Sequence, residues 1–230
     1  VTDDLRFPKP VALFADLNPE VLAEVRGAAR PRQVDAAGTF FVEGDPAASF
    51  FVLVSGSVKL AQVTPEGHQV VLRLLASGDA FGGVAAFGGA TYPVSAEAVT
   101  ASSALEWPGD VMARLMERHP KLALNALRFV AGRLHELQVQ YRQLATEKVE
   151  RRVARALLRL VQQAGRRIDS GVLIDLPLSR DDIAQMTGTT LFTVSRIISR
   201  FEAEGILEAG RQRILIRNPH GLLKVADDLI

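Results

Sequence analysis

Cysteine is absent from all 230 residues, so the chain can form no disulfide, no Cys-ligated zinc site and no Cys-held iron–sulfur cluster. Histidine is scarce, at four, which leaves little for metal or haem ligation. No apolar run reaches the ~18 residues needed to span a bilayer, and no charged-then-apolar leader opens the sequence as given. A cytoplasmic chain without membrane contact is therefore expected. An excess of charge of one sign is lacking too, the net charge being +1.

What is present is ordinary for a soluble globular protein: 48% hydrophobic and 23% charged residues, at a length suiting one large or two medium domains. The cations are unevenly placed. Residues 1–146 carry 13 Lys/Arg against 15 Asp/Glu, a balance of −2. Residues 147–217 carry 13 against 9, a balance of +4, and 12 of those 13 are arginine. The C-terminal half is the one suited to a phosphate backbone.

Residues 11–27 read as short helical turns. From Gly38 to Trp107 short β-type runs ("TFFV", "SFFVLV", "SVKLAQV", "QVVLRLL", "VSAEAV") alternate with glycine turns ("EGD", "SGS", "PEG", "SGD", "FGG"). Strands at this spacing predict a compact barrel, sandwich or jelly roll, here given residues 1–118. In "QVVLRLL", alternation predicts that Val70, Leu72 and Leu74 face inward, leaving Arg73 on the other face with Val71 and Leu75. Jelly rolls also build metal enzymes, which need clustered histidines and carboxylates. One histidine lies within 38–107, so neither a metal site nor an enzymatic activity is expected.

A long helix is predicted over 119–147, beginning at "HP". Its apolar residues Ala123, Leu127, Val130, Leu134, Leu137, Tyr141 and Leu144 are spaced 4, 3, 4, 3, 4, 3. Such a stripe either packs on the chain's own β domain or seals a helix-to-helix dimer, and 3.5 periodicity over three heptads favours the homodimer.

The remainder, 148–230, opens with the amphipathic "VERRVARALLRLVQQAG", its arginines on the outer face, followed by a strand, "GVLIDLPLS". Ser179 and Asp182 then have the spacing of a helix-capping box, with Asp181 and Asp182 in the first turn. Gly188 breaks that helix after two turns, and another begins near Thr189 or Thr190. In this second helix Val194, Ile197, Ile198 and Phe201 fall within one arc about 100° wide, a core-facing stripe. Phe192, Ser195, Arg196 and Ser199 lie opposite, flanked by Thr193 and Arg200. Gly205 stops the helix, with Ile206 placed to fold back on it. Two helices about a glycine turn read as a helix-turn-helix whose second helix enters the major groove. "GILEAGRQRILIRN" adds a hairpin that suits a wing, with its turn near Gly210–Gln212.

This order of parts resembles the CRP/FNR superfamily of bacterial transcription regulators, on "EGD" (43–45), "FVLVSGSVKL" (51–60), "GDAFGG" (78–83), "YPVSAEA" (92–98) and "SRDDIAQMTGTTLFTVSRIISRFEAEGIL" (179–207). The resemblance implies an α+β fold: an N-terminal jelly-roll effector domain, a long dimerisation helix and a C-terminal winged helix-turn-helix. It also implies a homodimer on a two-fold operator in double-stranded DNA, a small-molecule effector, RNA polymerase as partner, and no catalysis. DNA contact would come from Ser179, Arg180, Thr190, Phe192, Thr193, Ser195, Arg196, Ser199 and Arg200. The glutamate that often precedes the Thr-Val-x-Arg motif is Phe192 here. That ring either packs at the helix start or contacts a thymine methyl group, since it cannot accept from a cytosine amino group.

The effector pocket implied by the resemblance comprises Gly82, Gly83, Val84, Tyr92, Pro93, Leu134 and Leu137. Where the cyclic-AMP branch carries a ribose-binding glutamate this chain has Val84, and where it carries an Arg-Ser or Arg-Thr pair it has Tyr92 and Pro93. Leu137 and Gln138 stand where a polar pair would meet the adenine. An effector other than cyclic AMP, or none, is therefore expected. No cofactor is expected either. Haem is the one that composition leaves open, with His135 beside the seam better placed as ligand than His68, His119 or His220.

Overall fold

The computed structural model describes residues 10–83, 88 and 90–227. A short turn of 3-10 helix (Ala12–Phe14) and helix α1 (Pro19–Gly27) precede eight strands: β1 Arg30–Val34, β2 Thr39–Phe41, β3 Ser49–Ser55, β4 Val58–Val63, β5 Gln69–Leu75, β6 Ala80–Phe81, β7 Ser95–Ala98 and β8 Ser102–Pro108. They form two four-stranded sheets, ordered β1-β8-β3-β6 and β2-β7-β4-β5. The β region begins at Arg30, earlier than the expected Gly38, because β1 pairs antiparallel with β8 from Arg30↔Glu106 to Val34↔Ser102.

Strand β3 shows why its sequence is apolar throughout. Phe51 and Leu53 enter one core with Phe40, Phe41, Val58, Leu75, Phe81, Tyr92 and Ala96, which draws on both sheets. Phe50 and Val52 point the other way, into a second core with Val25, Trp107, Met112, Leu115, Leu122 and Ala126. A strand covered on both faces loses the hydrophobic-polar alternation of a half-exposed one.

Helix α2 (Gly109–Arg118) directly follows β8, and α3 (Pro120–Thr146) follows α2. The start of α3 is seated on the β domain: Leu122, Asn125 and Ala126 are buried. The Asn125 amide donates to the carbonyls of Leu13 and Ala15 at 3.2 and 2.7 Å, tying the 3-10 turn to the helix.

The remaining elements are α4 (Val149–Ala164), β9 (Gly165–Ile168), β10 (Gly171–Ile174), α5 (Arg180–Thr187), α6 (Leu191–Ala203), β11 (Leu207–Gly210), β12 (Arg213–Ile216) and α7 (Pro219–Asp227). The sheet runs β11-β12-β10-β9, and α4 touches α5, α6, α7 and β10. Buried residues Leu157, Ile174, Ile183, Ile198, Phe201 and Ile216 fill this domain. Two compact units result. One contains the β roll with α3 as far as Glu136; the other contains Thr64–Leu72 and everything from Leu137 onward.

Candidate nucleic-acid interface

The helix-turn-helix is fixed by local hydrogen bonds at each end. The Ser179 hydroxyl accepts from the Asp182 N–H at 3.0 Å while the Asp182 carboxylate accepts from the Ser179 N–H at 2.9 Å, a reciprocal capping box on α5. The helix closes at Gly188, whose φ of 60° and ψ of 48° are left-handed. A Cβ there would meet a Leu144 methyl group at 2.8 Å, which that half-exposed side chain can relieve by moving, so it is the left-handed backbone that requires glycine. Thr190 then caps α6 by accepting from the Thr193 N–H at 3.2 Å. At the far end Gly205 is left-handed and the Ile206 N–H donates to the Phe201 carbonyl at 2.8 Å, which closes a Schellman motif.

Held this way, α6 buries Val194, Ile197, Ile198 and Phe201 and leaves Leu191, Phe192, Arg196, Ser199 and Arg200 on its outer side, with Thr193 and Ser195 half-buried. Phe192 is 74% exposed, so it does not pack against its neighbours at the helix start. Leu191 beside it is 50% exposed, a feature that polarity-based reading of the helix passes over. Arg180 opens α5 with its guanidinium 3.8 Å from the Glu202 carboxylate. Arg200 is paired with Glu150 of α4 and lies 3.7 Å from Glu204, so its charge is already engaged. Arg211, Gln212 and Arg213 are exposed at the β11–β12 turn, where Gln212 has a φ of 54°.

The arginines of α4 are not the outward cations that the helical pattern suggests. Arg152 donates to the carbonyls of Thr187 and Glu147 at 3.0 and 2.9 Å, and to that of Gly188 at 3.4 Å. It thereby pins the α5–α6 turn to α4. Arg155 binds Glu147 at 3.1 Å, Arg151 donates to the Ala226 carbonyl, and Arg159 to the Gln143 side chain. Part of the positive excess of this half is internal bracing, which a charge count cannot distinguish from a phosphate-facing surface.

The residues assigned to an effector pocket are only partly brought together. Gly82 and Tyr92 share neighbours: a Cβ on Gly82 would meet the Ser49 carbonyl at 2.8 Å, and Tyr92 bonds the same residue. The Tyr92 hydroxyl donates to the Ser49 carbonyl and accepts from the Ser49 N–H, both at 2.8 Å, and its ring stacks 3.7 Å from Phe41. Burial pushes the phenol's pKa up against these backbone bonds, so the group stays neutral. Its hydroxyl is therefore engaged by the Ser49 main chain. Pro93 is exposed, Gly83 is half-buried, and Val84 lies outside the described residues. Leu134 and Leu137 are more than half exposed on α3.

Strand β5 corrects a second expectation. Leu74 is buried as expected, but so are Val71 and Leu75, while Leu72 is exposed and Val70 and Arg73 are half-buried, so the face that includes Arg73 is covered as well. Arg73 is accepted there because its guanidinium meets Asp79 at 2.7 Å, with Arg133 of α3 reaching the same carboxylate at 4.0 Å. Burial lowers the Arg73 pKa and Asp79 works against that shift. The ion pair compensates a cation on a face that a rule of charges outward would leave to solvent.

Along α3, Leu127, Val130, Leu134, Leu137, Tyr141 and Leu144 are 43–76% exposed. Among the histidines, His119 bonds Glu24 at 2.8 Å, and His68, His135 and His220 are exposed. No group of three or more His, Asp or Glu among the described residues is placed to hold a metal ion. No helix among them is long and apolar enough to cross a membrane.

Two family models match in the order of these domains: a cyclic nucleotide-binding domain over residues 31–119 and a Crp-like helix-turn-helix domain over 151–225. The chain belongs to the CRP/FNR family. CRP/FNR proteins are DNA-binding transcription regulators, and similarity extends well beyond either domain. A CRP-like cAMP-activated global transcriptional regulator of Mycobacterium tuberculosis is 25% identical over 93% of this chain and 96% of its own length. The solved structure of FixK2 from Bradyrhizobium japonicum has 25% identity and a TM-score of 0.78, covering 86% of this chain and 96% of that one. A CRP/FNR-family transcriptional regulator from Thermus thermophilus has 25% identity and a TM-score of 0.71, covering 86% and 98%. The fold is accordingly that of the family: a cyclic-nucleotide-binding β-sandwich domain, a long helix and a C-terminal helix-turn-helix.

Proposed function

We propose that the chain acts as a cytoplasmic homodimer that binds a two-fold operator and regulates transcription by contact with RNA polymerase, without catalysis, metal or haem. The observation that carries this reading is the stripe on α3, whose large apolar side chains recur at heptad spacing and stand in water on the single chain. Two such stripes seal each other in a coiled coil. A symmetric pair then presents two copies of α6, which suits half-sites centred one helical turn of DNA, about 34 Å, apart.

Within each half-site Arg196 reads a guanine edge through its two-pronged guanidinium, and Arg180 exchanges Glu202 for a phosphate. Arg196→Ala should lower operator affinity by about 1–3 kcal/mol and relax the preference at one base of each half-site. Arg180→Ala should weaken operator and random duplexes alike and flatten the dependence on salt. Equal losses on both kinds of duplex from both variants, measured by fluorescence anisotropy, would overturn these roles.

The effector, if one is used, is not cyclic AMP. The name of the tuberculosis relative makes that nucleotide the second ligand reading, but Tyr92 and Arg73 speak against it. The Tyr92 hydroxyl is engaged by Ser49 and the Arg73 charge by Asp79, so neither is free for a cyclic phosphate. Calorimetry at millimolar cyclic AMP should show no saturable binding and no gain in operator affinity. Micromolar binding coupled to DNA affinity would overturn the reading of the pocket.

A further inference from the structure

We propose that α6 reads the 5-methyl groups of pyrimidines in the major groove through Leu191 and Phe192, an inference that rests on the DNA reading above and specifies its chemistry. Leu191 and Phe192 are the first two residues of the helix, 50% and 74% exposed; Phe192 continues the face that holds Arg196 and Ser199, and Leu191 borders it. Residues at the start of a recognition helix are those that reach base edges. The polar groups beside them are partly engaged in the cap, because Thr190 accepts from the Thr193 N–H and the two hydroxyls lie 3.0 Å apart. The large exposed side chains at this end of the helix are hydrocarbon.

In the major groove the apolar group on a base edge is the methyl of thymine, or of 5-methylcytosine; adenine, guanine and cytosine present hydrogen-bonding groups that a ring or an isobutyl group leaves unmatched. Exposed Arg211 and Arg213, with Arg180 at the start of α5, give the surroundings the charge that a phosphate backbone requires. Phe192 and Arg196 are four residues apart and so share a face, separated by about 6 Å along the axis. That distance matches roughly two base steps of ~3.4 Å. The methyl group therefore lies within about two base pairs of the guanine read by Arg196.

The experiment uses the full chain to select duplexes from a random library. Each thymine of the enriched sequence is then replaced by deoxyuridine, which removes the methyl group and nothing else. One thymine per half-site, within two base pairs of the position relaxed by Arg196→Ala, should lose about fourfold in affinity, the ~0.8 kcal/mol of one buried methyl-sized group at 1.4 kcal/mol per tenfold. Replacing both half-sites should cost more than tenfold, and 5-methylcytosine should recover part of what cytosine loses there. Phe192→Ser and Leu191→Ser, at solvent-facing positions, should abolish the distinction between thymine and uracil. Uracil tolerated at every position, or serine variants that still distinguish the two bases, would overturn methyl reading while leaving sequence-specific binding intact. A library with no enriched sequence would overturn the DNA reading itself, and this proposal with it.

Discussion

Light scattering of the Leu134→Glu, Leu137→Glu double variant is expected to return a single chain of 24.9 kDa, where the unaltered protein returns twice that mass. Both leucines are more than half exposed on the single chain, at 57% and 58%, so the substitutions leave the protomer's own packing intact. Across a two-fold axis each glutamate would face apolar partners and a like charge, an uncompensated burial costing about 3–5 kcal/mol. Operator affinity should fall with the mass, because each separated chain meets one half-site alone. A variant that keeps the mass of two chains would remove α3 as the seam.

Trp107→Ala should cost the β domain about 3–5 kcal/mol of stability, a large part of the 5–15 kcal/mol typical of a folded domain. Trp107 is the protein's one tryptophan and is fully buried, with Phe14 and Phe50 at 5.7 and 5.8 Å. Its indole N–H donates to the Val25 carbonyl at 2.7 Å, so truncation leaves both a cavity and an orphaned acceptor. Trp107→Phe refills most of the cavity and loses the donor, and it should be the milder change. Urea unfolding followed by circular dichroism separates the two. A loss below about 1 kcal/mol for the alanine variant would mean that this core does not support the sheet–helix junction.

The helix-turn-helix was legible because its determinants are local. Capping by Ser179 and Asp182, the left-handed glycines 188 and 205, and the stripe from Val194 to Phe201 all lie within a few residues of what they control. The same holds for α3, whose period is visible without knowing its partner. Arg73 was not legible. Strand β5 is apolar on both faces, so alternation alone cannot orient it, and Asp79, which pairs with Arg73, belongs to the following turn. The bracing arginines of α4 failed for a related reason, since Arg151 and Arg152 reach main-chain carbonyls brought close by folding. Helix α2 and helix α7 went unread although each carried a signal. Met112 and Leu115 have helical spacing behind an acidic first turn, and Asn218 precedes Pro219 with Leu222, Val225 and Ala226 on one face. Strand β9, "GRRI", is polar and short, and only pairing with β10 identifies it. The Tyr92 hydroxyl could not be assigned either, because its partner Ser49 is 43 residues away.

The Asn125 bridge has a consequence for how the chain is made. Its amide reaches back to carbonyls 110 and 112 residues earlier, so the bond cannot form until every strand of the β domain has been synthesised. Closing a loop of that length costs about 4 kcal/mol of chain entropy before any contact repays it. During synthesis the β strands can pair as they emerge, but their amino-terminal flank stays unsealed until the start of α3 has left the ribosome. The domain that is made first is thus finished late, whereas the helix-turn-helix, built from near neighbours, closes soon after it appears.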